Sequence, residues 1–392
     1  MPHRISVDQR RARLGVRHQL GARSAGRSPA ELAADLVVLH ATDPSTVYLS
    51  LAARAADLTP ADVGAAIYDD RTLIRMLGMR RTMFVVPTPT APVVQHSSSG
   101  AVAARLRRAL VKDLAPVVTD PDGWLTEVGS SVVTLLRERG AATGAALSQA
   151  DPRLRTTIVY AEGKSYGGAV SVNGRVLNML SAQGRIVRGR PGGGWTASQY
   201  QWAPIETWLP DGIPTLSAEA ARAELVRLWL AGFGPGTFAD IVWWTGWNQG
   251  DTRKALAAVD TVTVDLDGAV GLVLAGDTEP VERPAPWIAL LPALDPTPMG
   301  WSGRDWYLEP EHRPMLFDRT GNIGPSIWCD GRIVGGWGQR ADGTLAWRLL
   351  SDIGTEMTAA VEAEAVRLTG WIDGIRVLPK FRTPLERALA AS

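Results

Sequence analysis

The chain has 392 residues and a mass of 42.0 kDa, which corresponds to two or three domains of about 150 residues and excludes a small disulfide-stapled module. Apolar residues make up 45% of the chain, and no apolar stretch approaches the roughly 20 residues that span a bilayer, which excludes membrane insertion. The 41 basic and 40 acidic residues nearly cancel, and a single cysteine, Cys329, can form neither an internal disulfide nor a Cys-based zinc site.

The amino-terminal segment is strongly basic. It lacks the apolar core and cleavage site of a secretory signal, so we expect a cytoplasmic protein. Only four of the 41 basic residues are lysines, and a high-GC genome explains this bias as well as selection for phosphate-binding guanidiniums does. Residues 1–27 carry one acid, Asp8, and seven arginines, which predicts a polyanion partner: Arg4, Arg10, Arg11, Arg13, Arg17, Arg23 and Arg27.

Three helical groups followed by strands are predicted along the chain. The first, at about 5–90, has helices near 6–20, 29–39, 44–57 and 60–69 and a strand in MRRTMFVVP. The second, at about 122–203, has helices at 124–139 and 143–150, a third in VSVNGRVLNMLSAQG, and strands in RIVRGRP and WTASQYQWAP. These two groups have the same order of elements as the clearer third group.

The third group, at 217–275, has the sharpest pattern. Ser217 can cap the helix AEAARAELVRLWLAGF, TFADIVWWTG forms a second helix, and Asp251 can cap a third with Arg253 and Lys254 in its first turn. Two alternating runs joined by Asp267-Gly268 then predict a hairpin. Three helices and a hairpin are the order of a winged helix, whose third helix can enter a DNA groove.

Residues 284–392 have a strand-like pattern, unlike the three helical groups before them. Strand-like runs and the turns at Asp330-Gly331 and Asp342-Gly343 predict a β-rich domain, closed by a helix at 355–369, a strand at 375–379 and a short helix at 384–391. We therefore expect an α+β fold of three tandem winged-helix units and a β-rich carboxyl-terminal domain. The expected boundaries are 1–115, 116–210, 211–283 and 284–392.

Three stretches carry a family resemblance: ALLPALDPTPMGWSGRDWYL, LFDRTGNIGPSIWCDGRIVGGW and LAGFGPGTFADIVWWTG. Together they resemble the bacterial winged helix DNA-binding domain-containing proteins, whose studied members are AlkZ-like DNA glycosylases, over nearly the whole chain. The resemblance implies excision of bulky or crosslinked alkylpurines from double-stranded DNA. The implied setting is the nucleoid, and the implied role is DNA repair or self-protection against a genotoxin.

The resemblance also implies a catalytic position. The family motif, Gln-Φ-Gln or Gln-Φ-Asp before a helix of the first unit, falls on His40-Ala41-Thr42, so both outer residues differ. Neutral His40 could accept a proton from a water near its ordinary pKa of about 6.5, Thr42 could orient that water, and Asp43 could stabilise a cationic sugar. The alternatives are an ordinary buried histidine and, for Asp43 before Pro44, a helix cap, which we favour for Asp43.

Other chemistry has little support in the sequence. The remaining histidines are scattered, so we expect no metal cofactor, and no lysine suits a Schiff-base step, so we expect a monofunctional enzyme. The tryptophans of WWTGW could stack on bases but more often form core. Our candidate DNA contacts, each also explicable as a solvated charge, are Arg80, Arg81, Arg188, Arg190, Arg253, Lys254 and Arg319, the last of which could instead pair with Asp318 or Asp295.

Two functions of different classes remain open. One is a glycosylase that uses His40 and Thr42 to hold water. The other is a non-catalytic DNA-binding protein or regulator that kept the scaffold after losing the glutamines. The absence of a coiled-coil heptad or another dimer element in the sequence favours a monomer acting in repair, and a hydrolase of small molecules is a distant third.

Overall fold

A computed structural model describes residues 3–160 and 168–392 of the chain. It is a mixed α+β fold in which short sheets alternate with helices. None of the described helices is both long enough and apolar enough to cross a bilayer.

The amino-terminal region contains the four predicted helices. Each begins at a polar cap, and three of them have a proline in the first turn. Two strands of its sheet were not predicted, and the helix expected at 29–39 ends at Asp35 because Val37 has a positive φ and leads into a strand. The sheet has the order β2-β4-β3. The elements are β1 (His3–Arg4), α1 (Val7–Arg17), α2 (Pro29–Asp35), β2 (Leu39–His40), α3 (Pro44–Ala52), α4 (Pro60–Tyr68), β3 (Leu73–Leu77) and β4 (Met83–Pro87).

A long helical stretch that the sequence analysis did not anticipate follows this sheet. It runs from α5 (Ala91–Val94) through a π-helical turn at Gln95–Ser99 into α6 (Gly100–Leu114). Turns of this kind occur often at functional sites, because they displace side chains from the regular helical register.

The middle region confirms the three predicted helices and the last two strands. It also contains a hairpin, β5 to β6, that was not predicted, and Val170, which we expected in the third helix, instead pairs with Ile158 in this hairpin. The elements are α7 (Pro121–Arg139), α8 (Gly144–Ala150), β5 (Thr157–Tyr160), β6 (Gly168–Ser171), α9 (Asn173–Ala182), β7 (Ile186–Pro191) and β8 (Tyr200–Pro204).

The next region confirms three helices and a hairpin, with one change of register. The third helix begins at Gln249 under an Asn248 cap, so Asp251 lies in its first turn rather than capping it. Asp267 and Gly268 both have positive φ, as a tight hairpin turn requires, and β1 pairs in parallel with β9. The elements are α10 (Ala218–Phe233), α11 (Phe238–Thr245), α12 (Gln249–Ala257), β9 (Thr261–Leu266) and β10 (Ala269–Leu274).

The carboxyl-terminal region forms an antiparallel sheet of order β11-β12-β13-β14 with helices against it. The prediction of a strand at 375–379 is wrong. The backbone of Ile375 and Val377 forms hydrogen bonds with the side chain of Gln339 instead of with a partner strand. The elements are β11 (Ile288–Leu291), α13 (Arg313–Leu316), β12 (Ser326–Cys329), β13 (Arg332–Gln339), β14 (Leu345–Leu349), α14 (Gly354–Ile372) and α15 (Pro384–Ala390).

Two large apolar cores organise these elements. One joins residues from the first, third and carboxyl-terminal regions, from Leu14 to Leu389, with a few from the end of the middle region such as Val187 and Ala203. The other is built from residues 110–202 and belongs to the middle region and the end of α6. The first core is rich in tryptophan, whereas Trp202 is the one tryptophan among the buried members of the second.

Candidate functional site

The motif His40-Ala41-Thr42 lies at a junction between a strand and a helix. His40 ends β2 and pairs with Phe84 of β4, and the Ala41 N–H donates to the Met83 carbonyl. Asp43 then caps α3. The motif is therefore held by the sheet on one side and by the helix start on the other.

His40 is almost completely removed from solvent. The residue is 8% exposed, its ring lies edge-on to Phe84 with 5.0 Å between ring centroids, and neither ring nitrogen has a hydrogen-bond partner within the described part of the chain. Burial lowers the pKa of His40 to about 3, with a further lowering by the Arg80 charge, so the ring is neutral near pH 7. The expectation that His40 titrates near 6.5 is wrong.

Both carboxylate oxygens of Asp43 are engaged. Oδ1 accepts from the backbone N–H of Ser45 at 3.1 Å and from its hydroxyl at 2.7 Å, and Oδ2 accepts from the backbone N–H of Lys380 at 2.9 Å. The capping role is thus confirmed, and the cap also ties α3 to the carboxyl-terminal region. Thr42, half-buried, lies between this cap and His40.

A buried polar cluster that the sequence analysis missed links α3 to the ALDP segment. Arg54 and Asp295, both fully buried, form a bidentate pair with two 2.8 Å bonds, and Arg54 also donates to the Thr297 hydroxyl. His18 lies 2.9 Å from the same hydroxyl. Asp295 is therefore the partner of Arg54 and not of Arg319.

A basic cleft lies at the loop that joins β3 to β4. It has a volume of about 400 Å³, and we call it the Arg81 cleft. It lies between the β3–β4 loop, the π-helical turn and the turn from α11 to α12. Its lining residues are Gly78, Arg80, Arg81, Ser97, Ser98, Ala101, Val102, Arg105, Arg222, Thr245, Gly246, Trp247, Asn248 and Asp251.

The WWTGW segment adjoins this cleft. Trp244 is buried in the first core and Trp243 packs against it, as expected, and the guanidiniums of Arg80 and Arg304 lie 4.4 Å and 4.9 Å from the Trp243 ring centroid. Trp247 lines the cleft and donates to the Ser98 hydroxyl at 3.4 Å. Two of the three tryptophans thus position polar side chains at the cleft.

The arginines of the β7–β8 hairpin are engaged within the protein. Arg188 donates to Asn178, and Nη2 of Arg190 donates to both carboxylate oxygens of Asp69 at 2.6 and 2.7 Å. Beneath the hairpin, Arg75 is 1% exposed and lies 4.4 Å from the ring centroid of Tyr200. Arg75 was not among the predicted site residues, because nothing in the strand LIRML marks it as buried.

The other predicted contacts lie elsewhere. Arg253 and Lys254 are exposed on α12, where Arg253 donates to Gln249. Arg319 is exposed, and it does not pair with Asp318, whose carboxylate accepts from Thr320 and Asn322. Arg319 lines a second basic cleft of about 690 Å³ together with Lys380, Arg382 and Arg387.

The amino-terminal arginines, whose charge predicts a polyanion partner, are engaged in contacts within the protein. Each contacts another part of the protein and holds the segment in place. The contacts are Arg4 with Asp267, Arg10 over Trp306, Arg11 with the Trp306 carbonyl, Arg13 and Arg17 with Asp277, Arg23 with Glu364, and Arg27 with Asp35.

Among the residues that the structure describes, no group of three or more His, Cys, Asp or Glu side chains could hold a metal ion. Lys164, one of the four lysines, lies outside the described residues.

Comparison with known proteins identifies the class of protein to which this fold belongs. Residues 33–371 match the family model described as DNA glycosylase AlkZ-like, and the chain belongs to this family. The solved structure of the DNA glycosylase AlkZ of Streptomyces sahachiroi is similar in fold, with a TM-score of 0.72 and 21% sequence identity. The similarity covers 94% of this chain and 97% of the AlkZ chain. A curated relative from the same organism, an interstrand DNA cross-link repair glycosylase, is 28% identical over 169 residues, which span 41% of this chain and 45% of the relative.

Proposed function

We propose that the protein is a monofunctional DNA glycosylase that hydrolyses the N-glycosidic bond of bulky or crosslinked alkylated purines in double-stranded DNA. The observation that carries the proposal is the position of His40 and Thr42 at a strand-to-helix junction beside a cleft lined by four arginines. Family membership and the name of the crosslink-repair relative support the reaction and the substrate class.

The chemistry makes modest demands on the protein. A purine alkylated at N7 is cationic, so the bond from C1′ to the base breaks with its electron pair going to the base, which becomes neutral. The oxygen of a water then bonds to C1′, and the water proton passes to solvent. Because the pKa of His40 is about 3, its ring is a weak base, and we assign it to orienting this water with Thr42 rather than removing the proton. Asp43 contributes negative charge at the same helix start.

We further propose that the three helical groups act as winged-helix units on DNA, followed by the β-rich region, in a monomer working at the nucleoid. The helices α10 to α12 with the β9–β10 hairpin have the element order that this requires, and α7 to α9 with the β7–β8 hairpin have the same order with the β5–β6 hairpin inserted between α8 and α9. The proposed DNA contacts are Arg80, Arg81, Arg188, Arg190, Arg253, Lys254 and Arg319. The cellular role is DNA repair or resistance to a self-made genotoxin.

The test is single-turnover incubation with duplexes carrying small, bulky or crosslinked N7-alkylguanine, followed by alkaline cleavage at abasic sites. We expect alkali-dependent cleavage at the lesion by the wild type and a loss of at least about tenfold in His40→Ala and in Thr42→Ala. His3→Ala, which removes an exposed histidine outside the motif, is the matched control and should retain the wild-type rate. A strand break without alkali would contradict a monofunctional enzyme.

One observation favours a second candidate, a non-catalytic DNA-binding protein. Both ring nitrogens of His40 are buried, so a water that reaches them needs the site to open. The double variant His40→Gln/Thr42→Gln separates the two functions, because it restores the outer residues of the family motif. No abasic product from the wild type together with product from this variant would favour a lost active site and a binding function.

A further inference from the structure

The Arg81 cleft carries positive charge that the protein leaves largely unneutralised. Four arginines and one acid line it, and that acid, Asp251, lies 3.1 Å from Arg222. Arg81 and Arg105 are exposed, and neither forms an ion pair with any residue that the structure describes. The cleft therefore presents at least two uncommitted guanidiniums to a ligand.

The wall that carries Arg81 is held in an unusual conformation. Arg80 and Arg81 both have left-handed backbone angles, with φ of 53° and 59°, which cost free energy in residues other than glycine. Gly246 also has a positive φ, and a Cβ added to it would lie 2.6 Å from Arg80 Cγ, so the absence of a side chain there admits the loop. Such strain persists where the surrounding structure enforces it and occurs preferentially at ligand-binding positions.

The opposite wall is also irregular. Ser97 and Ser98, nearly buried, come from the π-helical turn, and their hydroxyls lie 3.3 Å apart at the cleft. Hydroxyl donors beside guanidinium forks are the groups with which proteins bind phosphate oxygens.

The cleft is one aromatic ring away from the motif. Gly78 lines the cleft, and a Cβ added to it would lie 3.0 Å from Phe84 Cδ2. Phe84 in turn contacts the His40 ring, with 5.0 Å between centroids. A ligand in the cleft is thus close to any nucleotide that faces His40.

We infer that the Arg81 cleft binds a phosphodiester of the damaged strand next to the lesion, with Arg81 and Arg105 as its charged contacts. This inference rests on the proposed function, since it places a nucleotide at His40. Only the Phe84 ring separates the cleft from His40, and successive nucleotides rise about 3.4 Å along one strand. The phosphodiester bound in the cleft therefore lies within about three nucleotides of the damaged base. Ser97 and Ser98 thereby gain a role that their sequence context does not suggest, and Arg105, which belongs to a basic run in the sequence, gains a specific one.

The experiment compares Arg81→Gln/Arg105→Gln with a control that also removes two exposed charges away from the cleft, Arg139→Gln/Arg348→Gln. Binding to lesion-bearing and lesion-free duplexes is measured against salt concentration. We expect the cleft variant to reduce the slope of log K against log salt by about 1 to 2 and to weaken binding about tenfold or more, with less effect in the control.

A neutral methylphosphonate is then placed at each position around the lesion in turn. At one position within about three nucleotides on the damaged strand, it should weaken wild-type binding and have no further effect on the cleft variant. The inference is overturned by an unchanged salt slope, or by a methylphosphonate effect of the same size in both proteins at every position. If wild-type protein excises no base but the cleft variant loses the slope and the position-specific effect, the proposed activity fails while the phosphate site stands.

Discussion

Two buried histidines differ in the hydrogen bonds that they make. His18 is fully buried and lies within hydrogen-bond distance of the Thr297 hydroxyl and the Gly232 carbonyl, whereas His40 has no such partner among the described residues. A buried polar group without a partner costs about 1–3 kcal/mol of stability. His40 is therefore a position where the fold gives up stability, as functional residues often require.

We predict that His40→Leu stabilises the protein and weakens its dependence on pH. The pKa of His40 is about 3 in the native state against about 6.5 when unfolded, so the unfolded chain binds more protons below pH 6.5 and stability falls as the pH falls. This substitution should raise the free energy of unfolding by about 1 kcal/mol at pH 7.5. The decrease in that free energy between pH 7.5 and pH 5 should be smaller by about 2 kcal/mol than in the wild type. Urea unfolding at both pH values measures this.

The control for this prediction is His18→Leu. The pKa of His18 is likewise lowered to about 3 by burial, so this variant should show the same weaker pH dependence. It should also lose stability at pH 7.5, because the Thr297 hydroxyl and the Gly232 carbonyl lose a bonding partner. Equal losses of stability in the two variants would contradict the assignment of His40 as an unpartnered group.

Part of the candidate site could be predicted from local sequence. Asp43 before Pro44 is a helix start whatever the rest of the chain does, so the strand-to-helix position of the motif and the cap were accessible. The pKa of His40 was not, because it depends on burial against β4 and on the Arg80 charge. The Arg81 cleft joins residues that lie more than 170 positions apart, and nothing local marks them as neighbours.

Among the elements, the amino-terminal segment uses its positive charge in contacts with distant parts of the protein. Its excess of positive charge predicts a polyanion partner, yet its arginines bond to acids and carbonyls of distant elements. Arg13 and Arg17 both bond to Asp277, and β1 adds a parallel strand to β9. The segment therefore attaches α1 to the third helical group.

We predict that Asp277→Asn loosens this attachment without weakening DNA binding. The Arg13 side chain is only 2% exposed, so removing its acid leaves a buried charge and should lower the free energy of unfolding by about 2 kcal/mol or more. Asp267→Asn, which removes the acid facing the largely exposed Arg4, should have little effect on stability. A reduced salt slope of DNA binding in Asp277→Asn would show that this segment contacts DNA after all.

The elements that were predicted correctly have strong local signals. Asp-Gly pairs marked the hairpins at 267–268 and 330–331, where all four residues have positive φ. The missed elements depend on distant partners: β2 has two residues and forms only against β4, and residues 375–379 bond to the Gln339 side chain instead of a strand. Local pattern therefore predicted helices and tight hairpins better than it predicted short strands.

At the scale of the whole molecule, the two cores divide the chain unequally. The first core lies mainly in three of the four expected domains, as the Phe233 and Trp301 rings show with 5.4 Å between their centroids, and it also includes Val187 and Trp208 of the expected unit 116–210. The second is largely confined to the middle region, although Leu110 and Leu114 from α6 belong to it and precede the expected boundary at 116. We therefore expect the units that fold and unfold cooperatively to correspond to these two cores rather than to the four domains expected from the sequence.

We therefore predict that a fragment spanning residues 100–204 folds alone and that one spanning residues 211–283 does not. The first fragment retains every buried member of the second core, from Leu110 to Trp202. The second exposes Trp229, Phe233 and Trp244, which lose partners such as Trp301 and His18. Circular dichroism of each fragment during heating shows whether it unfolds cooperatively, and the dispersion of its amide signals in NMR spectra shows whether it is folded. If the 211–283 fragment unfolds cooperatively on its own, the shared core is not what holds the third helical group together, and each helical group is then an autonomous domain.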